Sequence, residues 1–356
     1  MNKESKNITL SVMIPAKNDN YYEDTIWRLE TTVNFLANSL HKVGVIEETE
    51  IIIVDWKSKV PIQSVITLNE RWKKKVLFLT VPYNFENNLV EGNLFNGSLV
   101  ANIGIRRSVG KYIAVTCSDT LWDEKFIIGF LKEINNNSRV LKTLFFVGRD
   151  DIPARIVSKK LSGEELKSFI KSNRNNFTRK SDKLFLFGGA GALIMHRDIW
   201  HKCRGLDESL IHWGWNDTDL MLRVLLNGIF INTDSNMKVF HLDHTPAAGI
   251  AERHKTKQNP KKFKPFVAND ENWGMGNYKF GDDTYISHSN NEIEMYTENT
   301  NYAYKIKYLF ILIKISISHL SKRNLFWISY LFYLYFKDIL NSLKDAGRQV
   351  FNKKRG

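Results

Sequence analysis

Three short stretches of this 356-residue chain concentrate the side chains from which cations are held and protons moved. Cys117-Ser118-Asp119-Thr120 follows a β-rich run, which puts a carboxylate at a strand end. Trp213-Gly214-Trp215-Asn216-Asp217-Thr218-Asp219 is a carboxylate-rich loop that runs into a helical pattern. Val239-Phe240-His241-Leu242-Asp243-His244 closes another β-rich run and adds two imidazoles. Carboxylate oxygen and imidazole nitrogen suit divalent cations such as Mg2+ and Mn2+, and both groups serve as general bases.

Those stretches need a frame, and the flanking patterns supply one. Thr9–Ile14, Glu50–Val54, Val76–Val81 and Lys111–Thr116 are β-branched, nearly continuous and bounded by turn residues, so they read as buried strands. Between the first two, Ile26, Leu29, Val33, Leu36 and Leu40 fall at helical spacing within Asp24–Leu40. Strand–helix–strand repetition of this kind builds a doubly wound parallel sheet, whose ligands sit at the carboxyl ends of the strands. Leu141–Gly148 is a further strand, and the polar stretch from Arg149 to Lys183 reads as a helix and a mobile loop. Asp217–Asn227 predicts a helix that starts beside the acidic loop and is ended by Gly228. The basic run Arg253–Lys264 and the Gly/Asn/acid-rich Asn269–Asp283 read as loops. No internal repeat is visible.

At Ser11-Val12-Met13-Ile14-Pro15-Ala16-Lys17-Asn18 and Asp55-Trp56-Lys57-Ser58 the chain resembles the GT-A glycosyltransferases, the family-2-like group above all. The resemblance implies an α/β fold: a mixed, mostly parallel sheet flanked by helices, here with a C-terminal helical appendage. It places Pro15, Ala16 and Asn18 at the nucleotide pocket and lets Asp55 accept a hydrogen bond from the base. Ala101-Asn102-Ile103-Gly104 and Arg106-Arg107 resemble the family's Arg-Asn-x-Gly helix, with Ala101 in place of the arginine; Asn102 and Arg107 then become donor-side contacts. Gly110-Lys111-Tyr112-Ile113 resembles the Gly-x-Tyr-Ile that leads to the family's Asp-x-Asp. That alignment puts Cys117 at the first acid and Asp119 at the last, with Ser118 between them on the donor side. Cys117 is expected to be a small buried filler.

The stretch Gly188–Asp219 resembles the catalytic loop of β-1,4-galactosyltransferases and polypeptide N-acetylgalactosaminyltransferases, through Gly205-Leu206-Asp207-Glu208 and Trp213-Gly214. By that likeness Asp217 is the general base of an inverting displacement, and Asn216 stands where a Glu is usual. Trp213, Gly214, Trp215 and Asn216 line the acceptor, the tryptophans stacking on a sugar ring. A helix N-terminus favours an anion, so Asp217 is expected to keep a low pKa. Relatives place a metal-binding His after this helix, and His241 lies 25 residues beyond Asn216, with His244 as a substitute ligand. Asp119 and His241 would hold Mn2+ or Mg2+.

These implications describe a metal-dependent glycosyltransferase moving a sugar from a nucleotide-diphosphate donor, a UDP-sugar, to a glycan or lipid-linked saccharide in surface polysaccharide biosynthesis. A retaining transferase and an inactive, membrane-associated GT-A-like binding protein are the alternatives. A nucleotidyltransferase would need a Gly-rich phosphate loop after the first strand, which IPAKNDNYYED does not offer.

Composition narrows the setting. With 43% hydrophobic and 25% charged residues the chain is an ordinary folded one, not a disordered one. The net charge is +13, and residues 302–356 hold eleven Lys/Arg against Asp338 and Asp345. In this tail the charges interleave with Ile306–Leu320 and the twelve-residue run Leu325–Phe336. Twelve residues are too few to span a bilayer, which needs about 20. Basic, aromatic-rich helices of this kind suit a membrane surface, with a helical pair packed on the catalytic domain or on a second subunit as the alternative, and not nucleic acid. The start MNKESKNITLSVMIP has no apolar signal region, and a glycan at Asn216-Asp217-Thr218 would disrupt the acidic loop. Two isolated cysteines cannot form a disulfide framework. The expected setting is cytoplasmic, peripheral on the inner face of the membrane. The expected organisation is a catalytic domain over residues 1–250 with its donor half at about 1–120 and its acceptor half at about 121–250. Acceptor-side loops follow over 251–301, then the tail.

Overall fold

The computed structural model describes residues 8–19, 24–86, 94–161, 163–174, 176–179, 189–211, 216–234, 236–244 and 266–281, all within one compact unit, Met1–Met295. The basic tail at 302–356, the basic run at 253–264 and the segment Trp213-Gly214-Trp215 lie outside the described residues.

Strands β1 (Leu10–Ala16), β2 (Thr49–Trp56) and β3 (Val76–Val81) are parallel neighbours, and β4 (Tyr112–Thr116) joins β1 in parallel on the other side. Their runs are nearly unbroken in hydrophobicity because most of their side chains are covered on both faces, as parallel strands require. Helix α1 (Thr25–Val43) buries Leu29, Val33, Leu36 and Leu40 against this sheet. Two single-turn helices, α2 (Ile62–Val65) and α3 (Glu70–Lys73), connect β2 to β3. Helix α4 (Gly97–Arg107) starts at Asn96, whose side chain accepts from Leu99 N at 3.1 Å. It packs so closely on β1 that a Cβ at Gly104 would lie 2.1 Å from Met13 Cγ, which makes glycine a requirement there.

Beyond β4 come β5 (Thr120–Leu121), α5 (Glu124–Asn136), β6 (Thr143–Ile152), α6 (Ala154–Val157), α7 (Gly163–Asn173) and β7 (Thr178–Arg179). They are followed by β8 (Ala192–His196), α8 (Arg197–Lys202), α9 (Asn216–Leu226), β9 (Phe230–Asn232) and β10 (Lys238–Leu242). The sheet order is β3-β2-β1-β4-β8-β6-β10-β5, with β7 and β9 also paired to β6. Only β8 runs antiparallel to both its neighbours, β4 and β6, so strand direction reverses in mid-sheet. This mixed, mostly parallel sheet with flanking helices is the α/β architecture that the sequence implied. Among the described residues no helix is long and apolar enough to cross a membrane.

One element departs from the sequence reading. The strand expected to stop at Gly148 runs to Ile152, so Arg149, Asp150 and Asp151 belong to β6 and not to a polar loop. The departure has an electrostatic cause. Asp150 pairs with Lys238 on β10, and Asp151 faces His241, its register partner on the same strand. Charges matched across a ladder let a strand continue where hydropathy alone ends it.

Candidate active site

The loop from β4 turns at Ser118 and returns as β5, which pairs antiparallel with β10 so that Thr120 opposes His241. Leu242 N donates to Asp119 O at 2.9 Å, and this backbone bond sets the two side chains together. Asp119 Oδ2 lies 3.3 Å from His241 Nε2 and 3.8 Å from His244 Nε2. The other ring nitrogen of His241, Nδ1, is 3.0 Å from Asp151 Oδ1 on β6. A ligating histidine is commonly oriented by a carboxylate on its far nitrogen, and Asp151 occupies that place.

Burial alone would raise the pKa of Asp119, but the neighbouring His241 outweighs it and holds the carboxyl at about 2. For His241, burial acts to lower the pKa, and Asp119 and Asp151 overcome it, lifting the imidazole to about 9. Two readings of one pair therefore agree.

The second oxygen of Asp119, Oδ1, is buried and has no hydrogen-bond partner among the described residues. An unsatisfied buried acceptor costs about 1–3 kcal/mol unless something outside the chain engages it. Asp119, His241 and His244 each offer one ligand atom, and these atoms lie within 4.8 Å of one another. An oxygen and two imidazole nitrogens fit Mn2+, with Mg2+ the harder alternative.

Asp217 occupies the first turn of α9 and accepts from Ala190 N, just before β8, at 3.4 Å. Its pKa is raised, not kept low: burial opposes ionisation more strongly than the backbone N–H groups of Ala190 and Gly189 and the charge of Arg149 favour it. Arg149 acts on more than one of these groups. Its charge acts on Asp119, on His241 and on Asp217. The charges of Asp119 and Asp217 both reach Cys117 as well. Cys117 is exposed, which corrects the expectation of a buried filler.

Beside Asp217, Asn216 donates from Nδ2 to Ser98 Oγ at 2.5 Å, while its Oδ1 is buried without a partner among the described residues. Arg149, Asp151 and Ser98 were missed in the sequence. The signal for the first two was a charged triplet at the end of a strand candidate, read as the start of a loop.

The residues expected at a nucleotide pocket lie at and just beyond the ends of β1 and β2. Pro15 and Ala16 register with Val54 and Asp55. Asn18 N donates to Ser58 Oγ at 2.8 Å, and Asn18 Nδ2 donates to Val60 O at 3.0 Å. Asp55 is fully buried; Ser58 Oγ donates to one carboxylate oxygen and Ile62 N to the other, at 2.8 Å.

Asn102 and Arg107, expected on the donor side, are engaged elsewhere. Asn102 accepts from Leu206 N at 2.8 Å and donates to Leu206 O at 2.8 Å and Glu208 Oε1 at 2.9 Å. Arg107 is buried and donates to Gly274 O (2.7 Å), Met275 O (2.8 Å) and Tyr278 O (3.0 Å), with its guanidinium over the Phe280 ring. These two side chains tie α4 to the 205–208 turn and to residues 266–281.

With this geometry in place, comparison with known proteins adds the following. The family described as the N-terminal domain of galactosyltransferase matches residues 167–245, a stretch that contains Asp217, His241 and His244. No curated protein matches the chain by sequence. Among solved structures, S. aureus TarS 1-349 is similar at TM-score 0.43 and 14% identity, over 66% of this chain and 60% of that one. The same protein in complex with UDP gives 0.43 and 15%, over 66% and 61%. In complex with UDP-GlcNAc it gives 0.44 and 13%, over 72% and 63%. The chain thus spans about three fifths of the length of these solved proteins.

Proposed function

We propose that this chain is a glycosyltransferase that moves a sugar from a nucleotide-diphosphate donor, a UDP-sugar, to a hydroxyl of a glycan or lipid-linked saccharide, with inversion. The observation that carries this reading is the Asp119–His241 pair at 3.3 Å with His244 beside it, the charge of Arg149 acting both on that pair and on a further carboxylate, Asp217. The match of residues 167–245 to a galactosyltransferase domain supports it.

Asp119, His241 and His244 would hold a divalent cation, Mn2+ or Mg2+, whose chemistry is to neutralise the diphosphate leaving group. Arg149 adds a fixed positive charge beside it. Asp217 accepts the proton of the attacking hydroxyl as the new carbon–oxygen bond forms and the bond to the diphosphate oxygen breaks. A raised pKa makes Asp217 the stronger base, provided the pH lies above it. Asn216 Oδ1 offers a hydrogen-bond acceptor for the incoming sugar, and the ends of β1 and β2 at Pro15, Ala16, Asn18 and Asp55 receive the nucleotide. Trp213 and Trp215 stack on the acceptor ring. The tail, 302–356, holds the enzyme on the inner face of the membrane, where lipid-linked precursors for surface polysaccharide are found.

The test is a panel of nucleotide sugars offered to the full chain with and without Mn2+, followed by nucleoside diphosphate release, thermal shift and anomeric analysis of product. One donor should bind and turn over only with the cation, since a bound donor raises stability by mass action. Donor binding with no release or transfer would make the chain a binding protein instead; no binding of any donor would end the reading. Deleting 302–356 should free the chain from anionic vesicles, and unchanged partitioning would remove the membrane role.

A further inference from the structure

Residues 266–281 lie past the stretch matched to the galactosyltransferase domain and contain no helix or strand, yet they are fastened from several sides. Arg223, fully buried in α9, donates to Phe266 O and to Gly205 O at 3.0 Å each, and to Asp219 Oδ2 at 2.7 Å. Glu208 is held at its N–H, its carbonyl and its carboxylate. Its N–H donates to Asn269 Oδ1 at 3.0 Å, and its carbonyl accepts from Asn96 Nδ2 at 2.9 Å. Glu208 Oε1 accepts from both Asn102 Nδ2 (2.9 Å) and Gly274 N (2.6 Å). Gly274 sits at φ 59, and a Cβ there would lie 2.4 Å from Asn102 O, so only glycine brings this N–H to the carboxylate.

These bonds hold Glu208 on one side of Asp217 and Arg223 on the other. Glu208 lies eight residues before Asn216, and both ends of that span are attached to one helix: Glu208 to Asn96 and Asn102, Asn216 to Ser98. Arg223 fixes the helix that starts at Asn216 to the 205–208 turn and to 266–281.

We infer that residues 266–281 form a strut which, with Glu208 at its centre and Arg223 as its link to α9, positions Asp217 for proton transfer. This rests on the transferase reading and extends it from the base to what holds the base in line. Displacing a reacting group by about 1 Å can cost on the order of 10²-fold in rate. Glu208 and Arg223 are therefore positioning residues.

The test compares Glu208→Ala, Glu208→Gln and Asn269→Ala in the full chain by steady-state kinetics and amide hydrogen exchange. Glu208→Ala should lower kcat at least tenfold with donor KM within twofold, and speed exchange in α9 at least tenfold while α1 and α5 exchange as before. Glu208→Gln keeps the Oε1 acceptor and should return kcat to within threefold of the parent. Unchanged exchange in α9 would overturn the strut, as would a glutamine variant as poor as the alanine one. So would exchange that quickens equally in α1, α5 and α9. If Glu208→Ala does not fold, Asn269→Ala at its half-buried position is read by the same criteria. A parent chain that turns over no donor would sink the transferase reading, while the exchange measurements would still decide on the strut.

Discussion

Two carboxylates flank the central strand β1, and the fold treats them differently. Asp55, near the end of β2, is fully buried and bonded at both oxygens, to Ser58 and to Ile62 N. Asp119, after β4, is also buried, yet only one of its oxygens has company, from His241 and His244, and the other has no hydrogen-bond partner. Burial raises the pKa of Asp55 despite its hydrogen bonds, whereas the histidines pull Asp119 down to about 2 against the same penalty. A carboxylate satisfied on both sides ties a turn to a helix start. One left half-satisfied is the feature on which the proposed cation site rests.

Four substitutions and a pH titration separate these two situations. The largest effect belongs to Asp217, the proposed general base. Asp217→Asn should reduce turnover by ~10²–10⁴-fold, the range of a lost general base, with donor affinity retained; full activity would remove Asp217 from the mechanism. Asp119→Ala should follow, weakening donor binding in Mn2+ by about tenfold or more, as loss of metal-site groups commonly does, and leaving binding without the cation unchanged.

Next comes the pH profile. Burial raises the pKa of Asp217, and the base works only when ionised, so turnover should climb with pH through a midpoint above the usual carboxylate range. Arg149 lowers that pKa, so Arg149→Met should move the midpoint further up; a midpoint at or below about 4 in the parent would contradict the burial argument. The smallest effect on chemistry belongs to Asp55. Asp55→Ala leaves Ser58 Oγ and Ile62 N without their acceptor, which should cost about 1–3 kcal/mol by thermal denaturation and leave the cation dependence of donor binding intact.

The frame was legible in the sequence where burial is two-sided. Val76–Val81 was read at its observed bounds, and β1, β2 and β4 within two residues, because parallel strands covered on both faces are continuous in hydrophobicity. The helix before Gly228 was read from its acidic start and its glycine stop. What escaped was stabilised by partners remote in sequence. Arg149-Asp150-Asp151 looked like a loop until Lys238 and His241 came alongside. Asn269–Asp283 was read as a loop and its described part holds no helix or strand; what escaped was its fastening by Arg106 and Arg107, which lie in a helix far upstream. The low pKa expected of Asp217 counted the helix terminus but not burial, and burial is the larger influence. Asn102 and Arg107 were placed at the donor by resemblance, and their bonds instead run to the strut.

The cation site itself can be tested most directly by titrating Mn2+ into the full chain in the presence of UDP, followed by calorimetry, and repeating the titration with His241→Ala. If Asp119 and His241 hold the ion, the parent should bind one Mn2+ per chain and the variant should lose at least tenfold in affinity. Equal Mn2+ binding by parent and variant would contradict the assignment and leave the half-satisfied carboxylate of Asp119 without its proposed partner.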